Sequence, residues 1–177
     1  KAVEPENVAR FIAGLALSEF VGCNVTIPHK ESAFQAVAET DKIARRLGAV
    51  NTVYVRNGMA CGTNTDGEGF IASLRQQHPD VSLQGTTATV IGAGGAAKAI
   101  IGALIDEGVT RIGIINRTRE RILGLQEQFG SQIIEINETA AEQALATSDL
   151  LVNTTSLGME GGTALALDMR YLKPGAL

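Results

Sequence analysis

Apolar positions along this chain follow two periods, and the change between them divides it. Near the start, Val8, Phe11, Ile12, Leu15 and Leu17 mark the buried face of a helix. Pro5 sits in its first turn, where a missing N–H costs nothing. A short strand is predicted over 22–27. Pro28 ends it and opens a helix with Ala33, Phe34 and Val37 inward. Another short helix is predicted over 41–47. Two strands, 50–55 and 59–63, flank Asn57-Gly58, a pair favoured in hairpin turns that need positive φ. From Asp66 a helix carries Phe70, Ile71 and Leu74 on one side and ends near His78-Pro79.

Beyond the loop 79–85 the pattern becomes regular. Apolar strands at 86–91, 111–116, 132–136 and 149–153 alternate with helical stretches, which predicts a parallel, right-handed α/β sheet. The last residues, 171–177, read as the approach to a further strand. Two regions are expected, with the loop 79–85 as the boundary region before this sheet.

The first strand of the second region carries the most specific local signal. Residues 88–91 run into Gly92-x-Gly94-x-x-Ala97 and then an apolar helix. A second strand, 112–115, ends in Asn116-Arg117-Thr118. That order opens a dinucleotide-binding βαβ unit. Gly92 allows the tight turn, Gly94 lets the backbone approach a pyrophosphate, and Ala97 lets helix and strand pack closely. The phosphates would sit on free N–H groups at the helix start. The structural alternative is a tight turn with no ligand.

The second strand's tip favours NADP over NAD. An NAD site usually places a carboxylate there for the ribose hydroxyls, whereas an NADP site must hold a 2′-phosphate. Asn116, Arg117, Thr118, Arg119 and Arg121 stand in this stretch, and Glu120 comes only inside the first helical turn. Three arginines at a helix N-terminus oppose the macrodipole by ~0.3 kcal/mol or more each, a cost that an anionic ligand would offset.

Composition narrows the rest. The 177 residues are 45% hydrophobic, enough for one ordinary domain or two small ones. Net charge is −4, the pI is about 5.2, and no basic stripe points to nucleic acid. No apolar run approaches the ~20 residues that span a bilayer. Cys23 and Cys61 have no metal-ligand spacing and read as reduced core thiols of a cytoplasmic protein, with no metal site.

Three polar clusters fall at element ends of the first region: 24–30, Asn51-Thr52, and 64–67. Each also has a purely structural reading. Asp66 suits a helix N-cap, Lys30 a surface lysine, and Asn51 a turn. His29 and His78 read as solvent-facing or structural.

Taken together, the motifs resemble the shikimate dehydrogenase family. The matching stretches are NVTIPHKE (24–31), GAVNT (48–52), GTNTDGEGF (62–70), VIGAGGAAKA (90–99), INRT (115–118) and NTTSLGM (153–159). They occur in family order and cover the chain from about residue 20 onward. The resemblance implies an α/β chain with a Rossmann-like NADP-binding domain and a smaller α/β substrate domain, with a cleft between them. It implies NADPH-dependent reduction of 3-dehydroshikimate to shikimate, in aromatic amino-acid biosynthesis. Residues 1–65 would be the substrate domain and 66–177 the NADP domain, each incomplete. Lys30 and Asp66 match the family's catalytic pair, and Asn24, Thr26 and Asn51 its substrate-binding positions. Gly92, Ala93, Gly94, Gly95 and Ala96 would cradle the pyrophosphate. Asn116, Arg117, Thr118 and Arg121 would take the 2′-phosphate, and Thr155 and Ser156 would line the nicotinamide end.

Departures accompany the match. The family's opening strand with its Ser-x-Ser-Pro-like loop has no counterpart here, nor does its C-terminal segment with a substrate-binding glutamine. Cys23 stands where an aromatic residue is common. The expectation is therefore a piece of a longer protein. Three rivals stay open: a quinate/shikimate dehydrogenase using NAD or NADP, a non-catalytic NADP-binding relative, and one module of a bifunctional chain. Oligomeric state is left open, with a homodimer as one option.

Overall fold

The computed structural model describes residues 3–158 and 167–177 and divides into two compact units, Lys1–Ser73 and Leu74–Leu177.

In the first unit a single 3-10 turn at Pro5–Asn7 leads into α1 (Val8–Leu15). Val8, Ile12 and Leu15 are buried, as the helical spacing predicts. Leu17 departs from it. The helix ends at Leu15, and Leu17 lies beyond the last turn, 93% exposed. The strand β1 (Gly22–Asn24) is shorter than expected. Its pairing ends at Asn24, because the chain then turns through the cis Ile27-Pro28 bond into α2 (Lys30–Ala36). A two-residue strand, β2 (Glu39–Thr40), precedes α3 (Lys42–Leu47). Asp41 caps α3 by accepting from the Ala44 N–H at 2.7 Å, and Gly48 closes it with φ +61°.

The hairpin β3 (Thr52–Arg56) and β4 (Met59–Thr63) turns at Asn57 (φ 52°) and Gly58 (φ 73°), as its sequence requires. The sheet order is β1-β3-β4-β2, antiparallel except where β2 runs parallel to β4. One face packs on α1 and α2 through Val8, Ile12, Leu15, Ala33, Val50 and Val53. Cys23 lies opposite Val53, and Val53 opposite Gly62, so the adjacent Cys61 points to the other face. The two thiols are free. α4 (Asp66–Gln77) follows the hairpin.

The second unit is a parallel sheet in the order β7-β6-β5-β8. Its strands are β5 (Thr87–Ile91), β6 (Arg111–Ile115), β7 (Ile133–Glu135) and β8 (Leu150–Asn153), close to their predicted spans. The intervening helices are α5 (Gly95–Asp106), α6 (Arg119–Phe129) and α7 (Ala141–Thr147). β5 and β6 are nearly continuous β-branched or small apolar residues, which suits strands covered on both faces. Val90, Ile112 and Ile114 of the strands are fully buried, as are Ile101, Leu104, Ile122 and Leu125 of the helices. The chain leaves β5 toward β6 and β7 on one side, while β8 lies on the other, so the strand order reverses at the carboxyl end of β5. Past a 3-10 turn at Met169–Tyr171, Leu177 donates to the Asp149 carbonyl and accepts from the Leu151 N–H. These bonds extend the sheet beside β8, as the predicted approach to a further strand requires.

Candidate functional site

Three chain segments meet at the ends of β1, β3 and β4. Lys30 is the first residue of α2, and its carbonyl accepts from the Val50 N–H at 2.9 Å. Asn51 follows and donates its N–H to the Thr63 carbonyl at 3.1 Å. Asp66 opens α4, where a carboxylate is favoured by the helix dipole. These backbone ties bring Lys30, Asn51 and Asp66 together from 36 residues of sequence.

The side chains form one network. Lys30 Nζ lies 2.6 Å from Asp66 Oδ2, with 12% and 26% of the two side chains exposed. Asn51 Nδ2 donates to the other oxygen, Asp66 Oδ1, at 2.8 Å and to Thr65 Oγ1 at 3.1 Å. Asn51 Oδ1 accepts from the Thr65 N–H at 3.0 Å and from Thr52 Oγ1 at 2.9 Å. Beneath them the buried Asn64 donates to the Ala49 carbonyl at 3.0 Å and accepts from the Asp66 N–H at 3.1 Å. Asn64 and Thr52 lie within the matched motifs, but the sequence alone assigns neither a role. Their function as braces depends on contacts across 15 residues and between adjacent side chains, which spacing does not reveal.

Asn24 and Thr26 stand exposed beside this network. Asn24 pairs in register with Thr52, and the Val25 N–H donates to the Asn51 carbonyl at 2.7 Å. His29, half-buried, has a buried Nδ1 without a hydrogen-bond partner among the described residues. Burial pushes the Cys23 thiol up from its ordinary value. Among the described residues no group of three or more His, Cys, Asp or Glu side chains could hold a metal ion, and no helix is long and apolar enough to cross a membrane.

The second unit has its own assembly at the carboxyl end of its sheet. Gly92, with φ +106°, turns the chain out of β5 and donates to the Ile115 carbonyl at 2.9 Å. A Cβ there would meet Thr154 Oγ1 at 2.5 Å and Thr155 Cγ2 at 2.8 Å, so the loop after β8 packs directly on the turn. Thr154 fixes that approach by donating through N–H and Oγ1 to the Ile91 carbonyl at 2.9 and 2.7 Å. Ala93 is buried, and Gly94, Gly95 and Ala96 are half-buried at the start of α5. Gly94 offers no side-chain cap, so the first N–H groups of α5 have no partner from the helix itself.

The basic loop stands alongside. Asn116 Nδ2 donates to the Thr118 carbonyl at 2.8 Å, which shapes the turn into α6. Arg117 and Arg121 are exposed, and Arg121 Nη1 reaches within 3.8 Å of the space over Gly94. Arg119 is different: its Nε pairs with Glu135 of β7 at 3.1 Å. Asn153 orders the third loop, accepting from the Thr155 N–H at 3.0 Å and from Thr155 Oγ1 at 2.7 Å, while Ser156 stays exposed. The last residue of that motif, Met159, lies outside the described residues.

A parallel sheet with this strand order, a glycine turn at its reversal point and a basic second strand tip defines a Rossmann-type α/β protein. Its family follows from comparison. The model of the shikimate dehydrogenase substrate binding domain matches residues 1–53, and that of shikimate / quinate 5-dehydrogenase matches 73–159. A shikimate dehydrogenase (NADP(+)) of Methylocella silvestris is 46% identical over 176 residues, covering 99% of this chain and 62% of that protein. The crystal structure of shikimate dehydrogenase from Aquifex aeolicus superposes with a TM-score of 0.85 at 33% identity, over 97% of this chain and 62% of the other. The Thermus thermophilus shikimate 5-dehydrogenase in complex with NADP(H) and shikimate gives 0.80 at 33% identity, over 97% and 61%. The chain belongs to the shikimate dehydrogenase family. It spans 55–62% of the length of the curated relatives it matches.

Proposed function

We propose that the protein to which this chain belongs is an NADP-dependent shikimate dehydrogenase, interconverting 3-dehydroshikimate and shikimate in the cytoplasm. The observation that carries the proposal is the Lys30–Asp66 pair, held from the side by Asn51. A protein that only bound dinucleotide would have no use for a half-buried cation and carboxylate 2.6 Å apart.

The second unit fits the dinucleotide. The turn at Gly92–Gly94 carries no side chain larger than the Ala93 methyl, and the free N–H groups of α5 suit a pyrophosphate. Arg117 and Arg121 give the adjacent strand tip two guanidinium groups for a 2′-phosphate. The bound cofactor supplies or takes up the hydride equivalent of the reaction.

The residues of the first unit account for the proton. Lys30 Nζ carries three donor positions, one of them turned to Asp66. Another can hold the reacting oxygen of the substrate, giving it a proton as carbonyl becomes alcohol and taking one in reverse. Asp66 keeps Nζ aimed and accepts from the substrate's hydroxyl side. A substrate hydroxyl would engage Asn51 at the longer of its two Nδ2 bonds, the 3.1 Å one to Thr65 Oγ1, leaving the bond to Asp66 intact. Asn24 and Thr26 add exposed polar groups in the adjoining segment, whose Val25 N–H donates to the Asn51 carbonyl.

The test is Lys30→Ala in the full-length protein. The proposal expects kcat to fall ~10²–10⁴-fold, with little change in the KM for shikimate. Near-wild-type kcat would remove Lys30 from the mechanism.

A further inference from the structure

The Asn51 amide is fully committed inside the first unit. Both Nδ2 hydrogens have acceptors, Asp66 Oδ1 and Thr65 Oγ1, and Oδ1 accepts from the Thr65 N–H at 3.0 Å and from Thr52 Oγ1 at 2.9 Å, with the Thr65 hydroxyl farther off at 3.5 Å. The backbone N–H can only donate, so it identifies the atom facing it as the amide oxygen and puts Nδ2 toward Asp66. The remaining clamp is a hydroxyl. Thr52 Oγ1 lies 2.9 Å from Asn51 Oδ1, and an amide oxygen can only accept, so the hydroxyl hydrogen points along this line.

We infer that Thr52 is a positioning residue for the Lys30–Asp66 pair, acting through Asn51; this rests on the function proposed above. The register explains why Thr52 can do this. Asn24, Thr52 and Thr63 are directly opposite one another on neighbouring strands, so their side chains share one face at the end of the sheet. Thr63 Oγ1 is tied to Asp41 Oδ2 at 2.5 Å, which leaves the middle hydroxyl of the row for Asn51. Donation into Oδ1 restrains the amide plane and strengthens the N–H groups on its other side. Those groups hold Asp66 Oδ1 while Lys30 holds Oδ2. Without the hydroxyl, the amide can swing and Asp66 loses its lateral support.

The experiment compares Thr52→Val, Thr52→Ser and the wild type in the full-length protein, alone and combined with Asn51→Ala. Valine keeps the shape and suits a strand, so folding is retained. Removing one hydrogen bond should lower kcat ~3–10-fold while the KM for NADP stays unchanged. Thr52→Ser should restore the rate, and Thr52→Val should cost nothing further when Asn51 is already alanine. The second readout needs no turnover: in nitrogen-15 spectra the Asn51 side-chain amide, identified by its loss in Asn51→Ala, should move toward free-amide positions and exchange faster in Thr52→Val. A wild-type protein inactive on shikimate would refute the proposed activity, and the amide spectra would still decide the Thr52 contact. Unchanged amide signals, a Thr52→Val rate within twofold of wild type, or an equal loss in the Asn51→Ala background would each overturn the inference.

Discussion

Replacing Gly92 with alanine tests the assembly of the second unit at one atom. Its φ of +106° is a conformation that L side chains rarely adopt, and holding one there costs ~1–3 kcal/mol. The new methyl would also sit 2.5 Å from Thr154 Oγ1 and 2.8 Å from Thr155 Cγ2, so the loop after β8 must retreat. Retreat breaks the 2.7 Å bond from Thr154 Oγ1 to the Ile91 carbonyl, worth ~0.5–1.5 kcal/mol net. Together these give about 1.5–4.5 kcal/mol. For a domain of this size that lowers Tm by roughly 3–18 °C. The assay is thermal unfolding of the full-length protein, with Gly124→Ala as the control. Gly124 lies in α6 with open space around its Cβ position, so alanine there should be neutral or stabilising by ~0.5–1 kcal/mol. NADP affinity, measured by titration, should fall in Gly92→Ala and not in Gly124→Ala. A Gly92→Ala protein that melts within a degree of wild type and binds NADP equally well would refute the described packing of turn and loop.

Two further predictions follow from charges in the same unit. Arg117→Ala should weaken NADP ~10-fold or more while leaving NAD nearly unchanged, since a charged hydrogen bond contributes ~1.5–3 kcal/mol. Arg119→Ala, removing a guanidinium already paired with Glu135, should discriminate much less between the two cofactors; equal losses for both in Arg117→Ala would place the 2′-phosphate elsewhere. Lys173 beside Asp149, aided by the Thr87 N–H, holds the Asp149 carboxyl below the usual aspartate range. A lowered pKa stabilises the fold above the ordinary aspartate value of ~3.9, and that contribution is lost as pH falls through the folded value. Asp149→Asn should therefore flatten the acid limb of the stability curve below about pH 4, and an unchanged limb in denaturant titrations would exclude this clamp.

The second unit was legible because its signals are local and long. β5 and β6 are five-residue apolar strands, each followed by a loop of distinctive chemistry, and the structure reproduces their positions. The hairpin was legible for a similar reason, since Asn57-Gly58 specifies its own turn. What escaped was short or non-local. β2 is two residues long, Glu39–Thr40, and has no period to detect; it exists because β4 offers it a parallel edge. β1 stops at Asn24 although Val25 and Ile27 continue the apolar pattern, because the chain must turn to place Lys30 at the head of α2. Leu17 fitted a helical face in sequence but falls past the helix end. At the candidate site Lys30, Asn51 and Asp66 stood out as motif residues. The bracing by Thr52 and Asn64, and the withdrawal of Arg119 by Glu135, depend on tertiary contacts that no spacing encodes.

The most direct test of the proposed activity is a set of initial rates of cofactor reduction by the full-length protein, with shikimate and with quinate, each with NADP and with NAD. Rapid turnover of shikimate with NADP, and little with any other pairing, is the predicted result. Comparable rates with quinate or NAD would move the protein to the quinate/shikimate class, and no turnover despite measurable NADP binding would contradict the account.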